Sequence, residues 1–299
     1  MNIRVISAIV LLCLIWGSLW GVVKQSLYIF PPFLFISIRL ILSGLGLMIL
    51  QLMLKKSIFP KYNEWKSLSI LSTLICFGFY ATQTFAMQFV NSGLSAVLVF
   101  TMPIFSGVLA HYLLNEHLNT QKMIGLILGV LGLVSILFPQ LHHLQMNASL
   151  LGQMILIGSG FFWVMATVYI KKNFASYDKI KLTIWQFLLG GLVMLIIALR
   201  IEPVNMQVWL NPFNISTILY TALIGTGFTF ALWNWVVGKI DTFVASISVT
   251  SVPILSLFFG SLFWHEALTI NILIGAVFIC LGILVSALKL NLPQVKLEK

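Results

Sequence analysis

The sequence predicts an all-α integral membrane protein of ten transmembrane helices, arranged as two inverted-topology five-helix repeats with the N-terminus and the C-terminus both cytoplasmic. Three observations carry that prediction: composition, an internal repeat, and the placement of the cations. Of 299 residues, 60% are hydrophobic and 8% charged, with a mean hydropathy of +1.05, whereas a soluble domain is about a quarter charged. The stretch Gly93 to Gly132 lies without a gap on Phe243 to Gly282, which pairs Pro103 with Pro253, Glu116 with Glu266, Gly125 with Gly275 and Gly132 with Gly282. Leucine and valine matches are common in so apolar a chain, so the register of proline, glutamate and glycine identifies the repeat.

Ten apolar runs have the length, about 20 residues, that a bilayer core demands. Residues 4–23, 33–54, 67–90, 93–114 and 121–139 fall in the first repeat, residues 1–140. Residues 149–171, 180–199, 214–237, 243–264 and 270–289 make the second repeat, residues 149–289, followed by a cytoplasmic tail at 290–299. The opening run leads into Trp16-Gly17-Ser18-Leu19-Trp20-Gly21 without a small-x-small cleavage site, so it reads as a span and not a signal peptide. Asn91-Ser92 and Asp241-Thr242 stand just before the two proline-bearing runs, and both pairs are N-cap types expected to open a helix after a tight turn. The first two spans of each half align at an offset near 147, which sets Trp16 against Trp163, Gly44 against Gly191 and Arg39 against Gln186. Glycines four apart, Gly17 with Gly21 and Gly125 with Gly129, are spaced for close helix approach.

Orientation follows from the cations. With the N-terminus inside, fourteen of the seventeen Lys and Arg fall on the inner side, in clusters such as Lys55, Lys56, Lys61 and Lys66, and Lys171, Lys172, Lys179 and Lys181. Lys24 and Arg200 are left outside and Arg39 lies within a span; cytoplasmic loops carry this excess. Five spans per half is an odd number, so the second half enters the membrane from the opposite side, with Glu116 near the inner face and Glu266 near the outer. Inverted repeats are a common construction of secondary transporters, in which one half exchanges shape with the other and swaps the open side.

The residues Phe89-Val90-Asn91-Ser92-Gly93-Leu94-Ser95-Ala96, then Pro103, Asn115-Glu116-His117-Leu118 and Ile124-Gly125, resemble the signature of the EamA family of the drug/metabolite transporter superfamily. Val252-Pro253, His265-Glu266-Ala267-Leu268 and Ile274-Gly275 repeat it, and Ile38-Arg39-Leu40 resembles the arginine common in the second helix of that family. The resemblance implies ten helices, inverted five-helix repeats and transport of small organic metabolites, often export of amino acids or related compounds. Gln186 stands where a mirrored arginine would be, so a role for Arg39 need not be duplicated.

Arg39 is the only charge clearly inside a span, and burying arginine at a helix centre costs roughly 2.5–3.5 kcal/mol on insertion scales. It reads either as an anchor for a substrate carboxylate or as a snorkel to the outer headgroups. Tyr80, Gln83 and Thr84 on the third span, and Thr226, Phe230 and Trp233 on the eighth, with Trp16 and Trp163 on the first of each half, would wall a pocket for an amphipathic small molecule. Asn234 shares that span but sits close to its inner end. Pro103 and Pro253 each remove a helix hydrogen bond and are candidates for hinges or cavity lining, against simple packing kinks. Glu116 and Glu266 read as structural rim carboxylates at helix ends, ahead of a proton-coupling role.

Other functions lack their residues. Cys13, Cys76 and Cys280 sit singly in apolar runs, and His111 and His142-His143 have no companions at ligand spacing, so neither a metal nor a cofactor is expected. The net charge of +10 is spread along membrane borders and not gathered on one face, which sets nucleic acid aside. An intramembrane enzyme would need clustered acids or a nucleophile with a base, and a receptor or scaffold has no need of inverted halves. The expected partners are a small-molecule substrate and the lipid bilayer of the cell membrane, crossed many times; monomer and homodimer both stay open.

Overall fold

A computed structural model describes residues 3–102, 105, 106, 109, 112, 120–142, 147–239 and 242–287, with the side chains of 140–142, 237, 242–249 and 287 set aside. Pro103, His111, Glu116, His143 and Asp241 therefore lie outside the described residues. Within them every regular element is a helix. In chain order these are α1 (Ile3–Ser26), α2 (Pro32–Met53), α3 (Tyr62–Ala86), α4 (Ser92–Val99), α5 (Thr120–His142), α6 (Ala148–Asn173), α7 (Lys179–Ile201), α8 (Pro212–Val236), α9 (Thr242–Trp264) and α10 (Ile270–Ala287), with a short turn of helix at Met206–Leu210. Among the described residues seven helices are long and apolar enough to cross a membrane, and Thr250–Trp264 and Ile270–Ser286 add two shorter apolar stretches. The molecule is an all-helical membrane protein.

The ends of these helices are set by local chemistry. Pro32 opens α2 and Pro212 opens α8, where the missing N–H costs nothing. Asn147 accepts from the Leu150 amide at the start of α6, and Asp178 from the Ile180 and Lys181 amides at the start of α7. Asn91 is an N-cap by position but makes no side-chain cap bond. Its place is taken by Glu266, from after α9, whose Oε1 and Oε2 accept from the Ser92 and Gly93 amides at 2.7 and 3.0 Å. A full negative charge bonded to two free amides at the positive end of a helix does more than a neutral amide can.

Helix α3 is not a uniform rod. Thr73–Ala81 is π-helical, and Tyr220–Phe228 in α8 is π-helical over the same length, 147 residues on (73 to 220). Such wide turns are rare and often mark functional positions. The proline-bearing runs behave differently from each other. α9 continues through Pro253, whereas α4 ends at Val99 and is followed by a turn at Phe100 and Thr101 before helix resumes at Met102. The sequence expected two equivalent kinked helices, and the first copy is instead interrupted.

Packing is reciprocal. α2 lies along α7 and α5 along α10. A side chain at Gly44 would meet Leu188, and one at Gly191 would meet Ile41, so each residue's contact is mirrored 147 positions away. Gly125 faces Gly282 and Gly132 faces Gly275, mirrored at 150. As one partner's numbers rise the other's fall, so both pairs run antiparallel. Self-complementary contact of this kind is what a two-fold relation produces. Gly17 and Gly21 on α1 are closed by Leu255 and Trp264 of α9, as their spacing led one to expect.

One border differs from expectation. α1 runs past the expected span end at residue 23 to Ser26 and takes Lys24 with it, and that lysine is buried. Its Nζ donates to the carbonyls of Met87 and Gln88 at 2.6 and 2.9 Å and sits 5.4 Å from the Tyr28 ring centroid. Carbonyls left free past the end of α3 attract a cation, which is why an ammonium is tolerated there.

Candidate functional site

The spans meet around a cavity of about 270 Å³, close to the lower bound of roughly 300 Å³ for small-molecule pockets. Its walls come from both halves. α1 contributes Trp16, Leu19, Trp20 and Val23, α2 contributes Arg39, and α6 contributes Trp163. α3 supplies Phe79, Tyr80 and Gln83, and Met87 follows it; α4 and the turn after it supply Val99, Phe100 and Met102. Gly225, Phe230 and Trp233 on α8 and Val252 on α9 close the circle. Both π-helical stretches reach this wall, through Phe79 and Tyr80 on one and Gly225 on the other.

The aromatic rings support each other. Trp163 packs on Phe79 at 4.7 Å between centroids and on Phe230 at 6.4 Å. Trp16 packs on Trp233 at 5.8 Å and edge-on to Phe230 at 6.4 Å, and Phe187 backs Phe230 at 5.5 Å. Tilted and edge-to-face pairs are the favoured aromatic geometries, each worth about 0.5–1.5 kcal/mol beyond burial, so the wall is stiff.

Arg39 is 5% exposed and lines this cavity. Its Nε donates to Thr226 Oγ1 at 2.9 Å, and its Cζ lies 5.9 Å from the Tyr80 ring centroid. Thr226 in turn donates to the Thr221 carbonyl at 2.9 Å, a bond across five residues that belongs to the π-helical turn. The second half thus orients the cation of the first. Among the described residues no carboxylate pairs with Arg39 and its two Nη groups find no acceptor. Those donors form a fork of the kind that binds a carboxylate through two parallel bonds.

Of the sequence candidates, Trp16, Arg39, Tyr80, Gln83, Trp163, Phe230 and Trp233 line the cavity. Thr226 stands behind Arg39, and Thr84 is buried away from the cavity; Asn234 does not reach it. Pro253 is buried beside the lining residue Val252. Trp20, Phe79, Met87 and Met102 escaped the sequence reading. Trp20 is one helical turn from Trp16 and Met87 one turn from Gln83, so an i, i+4 rule applied to the known candidates would have found both.

Charged groups at both ends of α2 tie the halves together. At its start Glu202 accepts from the Phe33 and Leu34 amides at 3.0 and 2.7 Å. At its end Gln51 donates to Asp178 at 3.2 Å, with Lys56 4.0 Å away. Partial burial pushes the Asp178 carboxyl up, but the Lys181 and Ile180 amides, Gln51 and Lys56 outweigh it and hold the group below its ordinary 3.8. Tyr177 beside it is pushed up by burial and by its bond to Glu64 at 2.9 Å. Among the described residues no group of His, Cys, Asp and Glu is arranged to hold a metal ion.

Residues 3–138 and again 150–288 match the model of the EamA-like transporter family. The chain belongs to that family. A Bacillus subtilis (strain 168) protein named "Uncharacterized transporter YoaV" is 35% identical over 281 residues, 94% of this chain and 96% of its own. A Salmonella typhimurium protein named "Probable amino-acid metabolite efflux pump" is 24% identical, with 92% of each chain covered. A solved crystal structure aligns over 95% of this chain and 96% of its own with a TM-score of 0.69 at 17% identity, a likeness of fold. This EamA-family chain is a multi-pass transporter of the cell membrane and not an enzyme, with a small molecule as its substrate.

Proposed function

We propose that this EamA-family protein is a secondary transporter that moves small organic metabolites by alternating access and exports amino acids or related compounds. The observation that carries the proposal is the aromatic cavity walled by both halves, with the unpaired Arg39 fork in it. The reading takes the chain as ten helices in two inverted five-helix repeats, residues 1–140 and 149–289, with both termini cytoplasmic. Reciprocal antiparallel packing of α2 on α7 and α5 on α10 supports a two-fold lying across the helices, the axis that inversion requires. In that frame Glu202 and Glu266 bolt the outer side and Asp178 braces the inner side, so exchange of these contacts would swap the open face. Trp16, Arg39, Tyr80, Gln83, Trp163, Phe230 and Trp233 would hold the substrate, with Thr226 positioning Arg39; Thr84 lies outside this set. Pro253, and Pro103 by the repeat, are proposed as hinges. The name of the Salmonella relative supports export of amino-acid metabolites.

Vesicles containing the purified protein test this directly. Exchange of a labelled amino-acid and amino-acid-derivative panel is expected, with Arg39→Gln losing exchange of carboxylate substrates by at least roughly tenfold, the loss of one charge-assisted bond pair. No flux of any panel member would overturn the carrier reading, and full flux in Arg39→Gln would remove Arg39 from the site.

A further inference from the structure

We infer that the substrate is a monoanion: a carboxylate on an apolar or aromatic body, without a free ammonium group. This rests on the cavity being the transport site, and it narrows the proposed class to those compounds related to amino acids whose amine is absent or blocked. Three features of the cavity select the class. First, Arg39 is the only charged group among the described residues that line it. Its Nη donors have no protein acceptor, so the cavity holds an unanswered positive charge. Burying an unpaired cation is costly, and an incoming carboxylate relieves that cost where a neutral molecule would not.

Second, nothing in the wall answers a second cation. The four described carboxylates, Glu64, Asp178, Glu202 and Glu266, are all bonded to main-chain amides at helix starts, and none lines the cavity. An ammonium brought in with the carboxylate of a zwitterion would lose its water and meet the field of Arg39.

Third, Gln83 is 9% exposed, lines the cavity, and has one end of its amide without a partner; the other end has only a 3.9 Å contact to Met87 Sδ. That oxygen is covered as the side chain stands, and a half-turn of the amide exchanges it with the nitrogen, so that Gln83 can present an acceptor to a substrate N–H. A substrate whose amine is blocked as an amide supplies that donor and carries no positive charge.

A phenyl series on the unmodified full-length protein separates these charges, because phenyl compounds leave the emission of the cavity tryptophans free to report binding. The probes are 3-phenylpropionate, phenylalanine, phenethylamine and N-formylphenylalanine, measured by tryptophan fluorescence and by competition in vesicle exchange. 3-Phenylpropionate is expected to bind at least roughly tenfold tighter than phenylalanine, N-formylphenylalanine to match or exceed it, and phenethylamine to bind weakest. Gln83→Leu is expected to cancel the advantage of N-formylphenylalanine alone. Arg39→Gln is expected to weaken 3-phenylpropionate and leave phenethylamine unchanged or improved; equal weakening of both would mean that Arg39 serves the fold, and would overturn the inference. Phenylalanine binding as tightly as 3-phenylpropionate would overturn the monoanion while the carrier reading stood. Failure of all probes together with the whole amino-acid panel would sink the carrier reading itself.

Discussion

Asp178 shows at the scale of one residue how polar chemistry is used at the membrane border. It caps its own helix through two amides and also holds Gln51 from the other half. Asp178→Ala should cost about 1 kcal/mol for the lost cap, read as a lower melting temperature in detergent. The pH dependence has a definite sign. The folded carboxyl titrates below its ordinary 3.8, so its contribution is full above that value and fades as pH falls through the lower folded one. Wild type and Asp178→Ala should differ near neutrality and converge under strong acid; a constant difference across that range would show that charge is not involved. Arg39, Trp16 and Gln83 were visible in the sequence because polar and ring groups stand out in apolar spans. Phe79 and Met102 were not, since phenylalanine and methionine are common in every span and only the three-dimensional fold distinguishes those at the cavity.

At the scale of elements, helix ends and helix crossings make separate predictions. Glu266 is aimed by His265, which adopts φ 52°, a left-handed turn unusual for a residue with a side chain. Glu266→Gln keeps the shape but removes the charge from the start of α4. It should weaken that closure and raise the labelling rate of a cysteine placed at Ser92 by about threefold to tenfold, in line with a cap and dipole effect near 1 kcal/mol. Unchanged labelling would show that the carboxylate does not hold this end shut. Gly282→Ala sets a methyl against the Gly125 carbonyl at 2.7 Å across the α5–α10 crossing. Overpacking there should cost roughly 1–3 kcal/mol, seen as lower yield of folded protein, while Gly158→Ala, which meets nothing within 4 Å, should be neutral. The repeat revealed these glycines as a register, but the partner of each could not be read until α5 and α10 were seen together. The early stop of α4 was hidden for a related reason: Pro103 and Pro253 look alike in sequence, and the surrounding contacts decide how a proline is accommodated.

For the whole molecule, the class was legible because it rests on sums: total hydrophobicity and run length. Depth was less so. Lys24 was placed just past the end of the first span, and the Met87 and Gln88 carbonyls that bury it come from a distant part of the chain. Orientation in the bilayer is an independent prediction. A reporter fused after Leu144 should be active only outside the cell and one fused after Tyr177 only inside; the opposite pattern would reverse the proposed topology.

The crossed helix caps bear finally on how the chain is made. The amides that start α2 and α4 belong to the first half, while Glu202 and Glu266 that receive them come from the second. As the polypeptide emerges from the ribosome, the first half is inserted with two helix starts unanswered, and they stay so until translation has passed residue 202 and then residue 266. The early half is therefore an unfinished guest in the membrane, and the order of synthesis decides when it becomes a stable one.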